Sequence, residues 1–558
     1  MKASIPRRAA LASLAAAAVP ASTNAQTQSA YWALNQKRID QHADAAQRLL
    51  DRQTVSKGSR WLGGLPDGDG LHHGGSTTGL VIHYTAALLQ PKSRFHGSAE
   101  VMDRLKLALG FLDRKTTADG NLELLTTNFN SPPDTSFAMY NLAGAVTLAR
   151  AAGSREIEAL IKPLVERHAA GLVKGGVHTP NHRWVMCSAL ALVNTIYPDP
   201  ALVRRIDQWL SEGIDIDADG MYSERSTGGY NGIVNRALCV IARHRNRREL
   251  LDPVRRNLDA MLRLLHPGNE PVTEVSRRQD LNTRGTISGY WFALRSMALT
   301  DGNGVYETLA RQFEPGMVEL MIYPDLQKPG PEPAAVPDNY EHVFPGMRVG
   351  RIRRGSTSAT ILMEGNGRIF TLRSGEAIVG AVRVASAFFG KGQFVPTSGD
   401  KEGSTYRMEQ SLDAGYYQPI GETQPWGVDE WYRMRHQRRR TEVCTQKRVA
   451  EITETSGGFR LRIRVDGTAD VPVAVEISLD GEGKLTGAKP AGKPDKAWLL
   501  ADGATATWTA GGHSISFGPG RAETTYTQVR GAEPMLNGNS VYLTGYTPFD
   551  HTIEFRCR

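Results

Sequence analysis

Apolar residues recur at three- and four-residue spacing through the first 320 or so positions. Positions that far apart share one face of a 3.6-residue turn, so the pattern predicts helices. They fall at 39–52, 98–112, 136–152, 157–172, 184–196, 201–212, 232–246, 250–265, 286–299 and 305–312. Breakers rich in Gly, Pro, Asn and Asp separate them, such as Asn130-Ser131-Pro132-Pro133-Asp134 and His266-Pro267-Gly268-Asn269. Roughly ten antiparallel helices with loops alternating between short and long predict an α/α toroid, an incomplete barrel, rather than a four-helix bundle. No repeat period is visible in the letters themselves.

Prolines 324, 329, 331, 333, 337 and 345 then crowd one segment, which reads as a linker. Beyond it the period drops to two, at 349–354, 358–363, 459–465, 471–479, 505–509 and 540–544. Such alternation, with Gly-rich turns between the runs, predicts an antiparallel β-sandwich. The expected order is a signal peptide at 1–25, a toroid at 26–323, a Pro-rich linker at 324–346 and a β-sandwich at 347–558.

Length agrees with that division, since 558 residues exceed what one core supports. Residues 1–25 carry a basic start (Lys2, Arg7, Arg8), an Ala/Leu/Val run from Ala9 to Val19, and Thr23-Asn24-Ala25 as a small-residue cleavage site. This predicts export, with the mature protein periplasmic or secreted. No other segment offers 18 uninterrupted apolar residues, so no membrane association is expected. Without the leader the formal charge of +8 falls to +5, from 63 basic and 58 acidic side chains. That mild, dispersed excess weakly favours an anionic substrate and gives no basis for a nucleic-acid partner. Cys187 and Cys239 fall inside apolar helices, where buried free thiols are expected; Cys444 and Cys557 lie far off.

Two blocks carry the candidate chemistry. Gly175-Gly176-Val177-His178-Thr179-Pro180-Asn181-His182-Arg183-Trp184 sets an amide, an imidazole and a guanidinium at the mouth of an apolar helix. Asp219-Gly220-Met221-Tyr222-Ser223-Glu224-Arg225-Ser226-Thr227-Gly228-Gly229-Tyr230 brings a tyrosine out of a Gly-rich loop ahead of another helix. These groups suit β-elimination from a uronic acid, where a carboxylate is neutralised, C5 deprotonated and a leaving oxygen protonated. On the bland side, Asn181 would cap a helix starting near Arg183, Trp184 would simply pack, and Glu224 and Arg225 would pair to fix the loop.

The pairing of Pro180-Asn181-His182-Arg183-Trp184 with Asp219-Gly220, Glu224-Arg225-Ser226 and Gly229-Tyr230, helical region before β-region, resembles the heparinase II/III-like and alginate-lyase-like polysaccharide lyases. The stretch around Asn181 is also similar to lyases that remove terminal rhamnose from glucuronate. The resemblance implies that Asn181 and His182 neutralise the carboxylate and that Tyr230 is the acid, or both acid and base. It implies a histidine base too, either His182 or His342 of the β-region. At 49 positions, the separation of Asn181 and Tyr230 is a little shorter than the group's pattern. His73, Asn128, Arg183, Tyr222, Arg225 and Arg278 are the expected substrate contacts, Arg278 as a bidentate carboxylate holder.

When H5 and O4 lie on one face of the sugar, as in D-glucuronate, one tyrosine can serve as base and acid; on opposite faces a separate base is needed. No zinc-protease, P-loop, nucleophile-elbow or dinucleotide motif is present, and no cofactor is expected, with a structural Ca or Zn in the β-region left open. An acidic poly- or oligosaccharide is the expected partner; the oligomeric state is not legible. The rival readings are a glycoside hydrolase, using for instance Asp134 and Glu224, and a non-catalytic carbohydrate-binding protein.

Overall fold

The computed structural model describes residues 31–422, 427 and 430–558, so the expected signal peptide lies outside the described residues. The chain forms two compact units. Of the described residues, 31–213, Ile233–Asp252 and Tyr290–Ala335 make the first, and Ile214–Gly232, Pro253–Gly289 and those from Val336 to Arg558 make the second.

The first unit is helical. Its helices are α1 (Gln36–Arg52), α2 (Gly74–Leu89), α3 (Ala99–Lys115), α4 (Pro132–Ala151), α5 (Arg155–Lys174), α6 (Pro180–Ile196) and α7 (Pro200–Leu210). A hairpin of β1 (Leu122–Leu124) and β2 (Asn128–Ser131) precedes α4. Most of α8 (Tyr230–Arg245) follows; α9 (Leu251–Arg263) falls largely in the second unit, and α10 (Trp291–Asp301), α11 (Gly304–Ala310) and α12 (Met317–Ile322) complete the first. Proline occupies the first turn of α4, α6 and α7, where its fixed φ is pre-set for helix and its missing N–H costs nothing.

Helix α4 packs against α2, α5 and α6. All but α5 of this group bury residues around most of their circumference, including Leu80, Tyr84, Met139, Leu142, Trp184 and Leu190. By contrast α5 and α7 bury single stripes, Leu202 and Ile206 in the case of α7. Inner apolar helices partnered by outer amphipathic ones are the α/α toroid that the periodicity predicts. The polar, Gly-rich run from Gly74 to Thr78 opens α2. Glycine is needed there because a Cβ on Gly74 would meet the Leu122 side chain at 2.8 Å.

A repeat hidden from the sequence shows in the turns. At Asp67–Leu71, Thr117–Asn121 and Asp217–Met221 the first backbone N–H bonds the fifth carbonyl, at 2.9, 2.8 and 2.9 Å. In each, the first side chain accepts from the fifth N–H, at 2.9, 3.0 and 2.9 Å. Gly70, Gly120 and Gly220 hold the fourth position at φ of 82°, 86° and 80°, which glycine alone adopts without strain. A fourth copy, His266–Glu270, keeps the backbone bond at 2.8 Å with Asn269 at φ 60°. The copies start about fifty or one hundred positions apart, and each is followed by a polar loop carrying candidate site residues: His73, Asn128, the Tyr222 to Tyr230 stretch, and Arg278.

The second unit is built on two antiparallel-rich sheets. The strands are β3 (Asn339–Phe344), β4 (Val349–Arg354), β5 (Thr357–Leu362), β6 (Phe370–Ser374), β7 (Ala377–Ser386), β8 (Ser398–Glu402), β9 (Thr405–Tyr417) and β10 (Arg440–Thr455). They continue as β11 (Gly458–Asp466), β12 (Pro472–Asp480), β13 (Lys484–Thr486), β14 (Lys489–Pro490), β15 (Ala497–Leu499), β16 (Ala506–Ala510), β17 (His513–Gly518), β18 (Asn539–Tyr546) and β19 (Phe549–Cys557). One sheet runs β14-β15-β18-β12-β7-β6-β5-β4-β3 and the other β13-β16-β17-β19-β11-β10-β9-β8. Their inner faces share one core, with Ile352, Phe370, Val382, Ile452, Leu461, Val475, Phe517, Leu543 and Phe555 all buried. Each such side chain contributes about 1.5–3 kcal/mol of burial. The result is a toroid followed by an antiparallel β-sandwich. Strand β3 lies inside the segment read as a linker, because the prolines before it and its weak alternation hide it.

The loops after α9 are clamped to this sandwich. Buried Arg351 donates to the carbonyls of Arg263 and Leu265, both at 3.2 Å, and to Ala359 at 2.8 Å. Thr371 donates to Glu274 at 3.0 Å. Cys187 and Cys239 are buried free thiols. No described helix is long and apolar enough to cross a membrane.

Candidate active site

The candidate residues divide between the units: His73, Asn128, Asn181, His182 and Arg183 in the first, Tyr222, Arg225, Tyr230, Arg278 and His342 in the second. In the first unit, Pro180 and not Arg183 starts α6, so Asn181 lies inside the first turn and is not its cap. Thr179 holds the cap position, yet its side chain accepts nothing from the turn. It accepts instead from Asn181 Nδ2 at 3.2 Å. Asn181 and His182 are 1% and 7% exposed, which fixes both orientations. The His182 ring meets His178 edge-on at 4.8 Å and Phe137 at 6.0 Å. An amide and an imidazole at a helix N-terminus lie in the positive end of its dipole, suited to a carboxylate.

Arg183 turns away, to Glu212 at 2.9 Å and over the Trp184 ring, and Trp184 is fully buried packing. His73 bonds Asp67 at 3.1 Å and accepts from Leu125 N–H at 3.3 Å, three residues before Asn128 of the hairpin. Asn128 donates to Asp134 at 2.9 Å, and Ser131 donates to the same carboxylate at 2.5 Å.

In the second unit, Tyr230 is the first residue of α8 and is half-buried. Its backbone N–H donates to Ser226 Oγ at 2.9 Å. Ser226 Oγ donates in turn to Asp280 Oδ1 at 2.9 Å, and Gly228 N–H donates to Asp280 Oδ2, also at 2.9 Å. Ser276 gives Asp280 a further bond at 2.5 Å, and Thr227 donates to the Val272 carbonyl at 2.7 Å. One carboxylate therefore organises the whole Gly-rich loop. Against the tyrosine ring, Arg278 lays its guanidinium 4.8 Å from the centroid, and it pairs with Glu224 at 3.3 Å. A cation there stabilises negative charge growing on the phenol oxygen.

The expected Glu224–Arg225 pair does not form. Glu224 serves Arg278, whereas Arg225 reaches Asp217 at 4.0 Å and the Gly346 carbonyl at 3.1 Å. The cause is the backbone of Arg225, whose φ of 49° turns its side chain from its neighbour's; this left-handed state costs about 1–2 kcal/mol. Tyr222 is 2% exposed, a packed position.

His342 sits in the edge strand β3, its ring 4.4 Å from Phe344. Partial burial and Arg263 lower it below the ordinary histidine range, with Asp219 opposing. That shift favours the neutral form, which a base requires. Asp219 joins the same corner, accepting from Met347 N–H at 2.8 Å, and its carboxyl is raised by burial.

Two residues escaped the sequence reading. Asp280 was visible only as the end of a basic loop. Asn231, 1% exposed beside Tyr230, has no hydrogen-bond partner for either amide atom, a state costing about 1–3 kcal/mol per group unless a ligand or water supplies it. Only its place after the tyrosine could have flagged it. Among the described residues no three His, Cys, Asp or Glu side chains converge as metal ligands would.

No family model matches the chain, and no curated protein matches it. Solved structures do. The Streptomyces coelicolor A3 chondroitin AC lyase in complex with chondroitin sulphate aligns at TM-score 0.54 and 14% identity, over 95% of this chain and 82% of that one. A tyrosine-to-alanine mutant of that enzyme aligns at TM-score 0.54 and 12% identity, over 96% and 82%. A heparan sulfate lyase mutant from Pedobacter heparinus gives TM-score 0.48 and 10% identity, over 96% and 87%. At these identities the likeness establishes the fold.

Proposed function

We propose that this protein is an exported polysaccharide lyase, periplasmic or secreted, that breaks the bond at O4 of a uronic acid by β-elimination. The observation that carries the reading is Tyr230, held by the Asp280 web and covered by the Arg278 guanidinium. A fold shared with a chondroitin AC lyase supports it.

The chemistry assigns the roles. Removing the C5 proton turns the adjoining carboxylate into a dianionic enolate, so donors aimed at its oxygens lower the barrier, by about 100- to 1000-fold in rate per donor. Asn181 with His182 fills this role. The C5–H electrons form the C4–C5 double bond, the C4–O4 bond breaks, and Tyr230 gives its proton to O4. Where H5 and O4 share a face, as in D-glucuronate, Tyr230 first takes the C5 proton as a phenolate. Where they do not, neutral His342 or His182 takes it. A rhamnosyl-glucuronate substrate cleaved from its end is the narrower form of this reading.

A hydrolase would need two available carboxylates across a sugar. Asp134 is occupied by Asn128 and Ser131, and Glu224 by Arg278. A panel of acidic polysaccharides tests the proposal through the absorbance of the unsaturated uronate. A lyase raises it, a hydrolase gives only new reducing ends, and a binding protein gives neither; either of the last two results ends the proposal.

A further inference from the structure

The second unit contains a cavity of about 250 Å³ that none of the chemistry above uses. The segment after the fourth turn forms part of its wall. Asp280 and Arg278 of that segment address the tyrosine loop, while Thr273, Asn282, Thr283 and Arg284 line the cavity with strands β6, β7 and β12. Its volume lies below the roughly 300–1,000 Å³ typical of drug-sized ligands, which suits one sugar ring.

Two charged groups in the wall, Glu274 and Arg368, attract each other but leave hydrogen-bonding capacity unfilled. Glu274 is 8% exposed; its Oε1 accepts from Thr371, but its Oε2 is buried with no hydrogen-bond partner. His266 lies 3.5 Å from Oε1, but burial pulls this imidazole down to about 3, so it is neutral and does not cancel the carboxylate. Across the lining, Arg284 and Arg373 share Glu270, at 3.0 and 2.9 Å. Arg368 feels Glu274, Glu533 and Glu476 electrostatically, yet among the described residues its guanidinium makes no hydrogen bond or ion pair. The nearby Arg383 repels it and spends its own charge on Glu476 and Glu533.

A ligand that completes this wall needs a hydroxyl to donate to Glu274 and an anion to accept from Arg368. Sulfate and other bare anions supply no donor, and a neutral sugar supplies no charge. We propose that the cavity binds a hydroxylated monocarboxylate of monosaccharide size, a sugar acid, with its carboxylate on Arg368 and a hydroxyl on Glu274 Oε2. Ile378, Val379 and Leu536 offer the apolar face of the ring its contact. The choice of a sugar acid over other hydroxylated carboxylates rests on the lyase reading, whereas the unfilled hydrogen-bonding positions on Glu274 and Arg368 do not.

Calorimetric titration of the intact protein with D-glucuronate tests it, with D-glucose, sulfate and serine as parallel probes. Saturable glucuronate binding is expected, weakened at least tenfold in Arg368→Ala and in Glu274→Gln. Arg368→Ala should melt with the parent protein because it breaks no ion pair, so it carries the test even if Glu274→Gln unfolds. Absent glucuronate binding, equal affinity in Arg368→Ala, or equal binding of glucose, sulfate or serine would overturn the site. Failure of the lyase reading would show separately, as no unsaturated product from any polysaccharide.

Discussion

The Asn181 turn and the Tyr230 loop reach rigidity by different routes. The first is locked by secondary structure: Pro180 sets the helix start, and burial of Asn181 and His182 leaves neither side chain room to move. The second has little regular structure before Tyr230 and depends on Asp280, which gathers Ser226, Gly228 and Ser276. A helix turn offers neutral donors at a fixed place, as carboxylate neutralisation requires. A loop tied to one carboxylate offers a proton donor whose position fails if a single anchor fails. The clusters should therefore break differently.

The largest effect is expected for Tyr230→Phe, which removes only the phenolic oxygen. Turnover should fall at least about 100-fold with substrate binding retained, as general acid–base groups contribute roughly 100- to 10,000-fold. More than a tenth of the parental rate would remove Tyr230 from the chemistry. Asn181→Ala should lower kcat by about 100- to 1000-fold with little change in KM, because its amide matters most in the enolate-like transition state. A lower Tm with normal kinetics would make it structural only.

Asp280→Asn sharpens the contrast. It keeps the shape but replaces one acceptor oxygen by a donor facing Gly228 N–H or the serine hydroxyls. Activity should drop about tenfold or more with a Tm loss of a few degrees, whereas substitution at Asn181 should leave Tm nearly unmoved. Equal Tm changes at both sites would erase the distinction.

The smallest effect concerns His342. A base works deprotonated, so its contribution is present above its pKa and lost as pH falls through it. Since His342 is lowered from 6.5, the acid limb of the rate profile should lie below that value and should shift or vanish in His342→Ala. An unchanged profile would assign proton abstraction to Tyr230 or His182.

Much of this was legible in the sequence. Helices and strands could be placed because apolar periods of 3.6 and 2 report burial directly, and strand β4 matches its expected bounds at Val349 and Arg354. The fifty-residue turn repeat was not legible, because its side-chain acceptor is Asp in two copies and Thr in a third, which letters do not equate. Nor was the Arg278–Glu224 pair, a contact across more than fifty positions that competes with the adjacent Arg225. Asp280 was hidden because a carboxylate serving backbone and hydroxyl donors leaves no spacing pattern.

The elimination itself is tested most directly by digesting an acidic polysaccharide in oxygen-18-labelled water and weighing the products. The account predicts an unsaturated uronate end and, beyond the slow exchange of reducing-end oxygens seen in an enzyme-free control, no label in either fragment, because O4 leaves with a proton and no water adds. One labelled oxygen at the new reducing end, with no unsaturated sugar, would contradict it and establish hydrolysis.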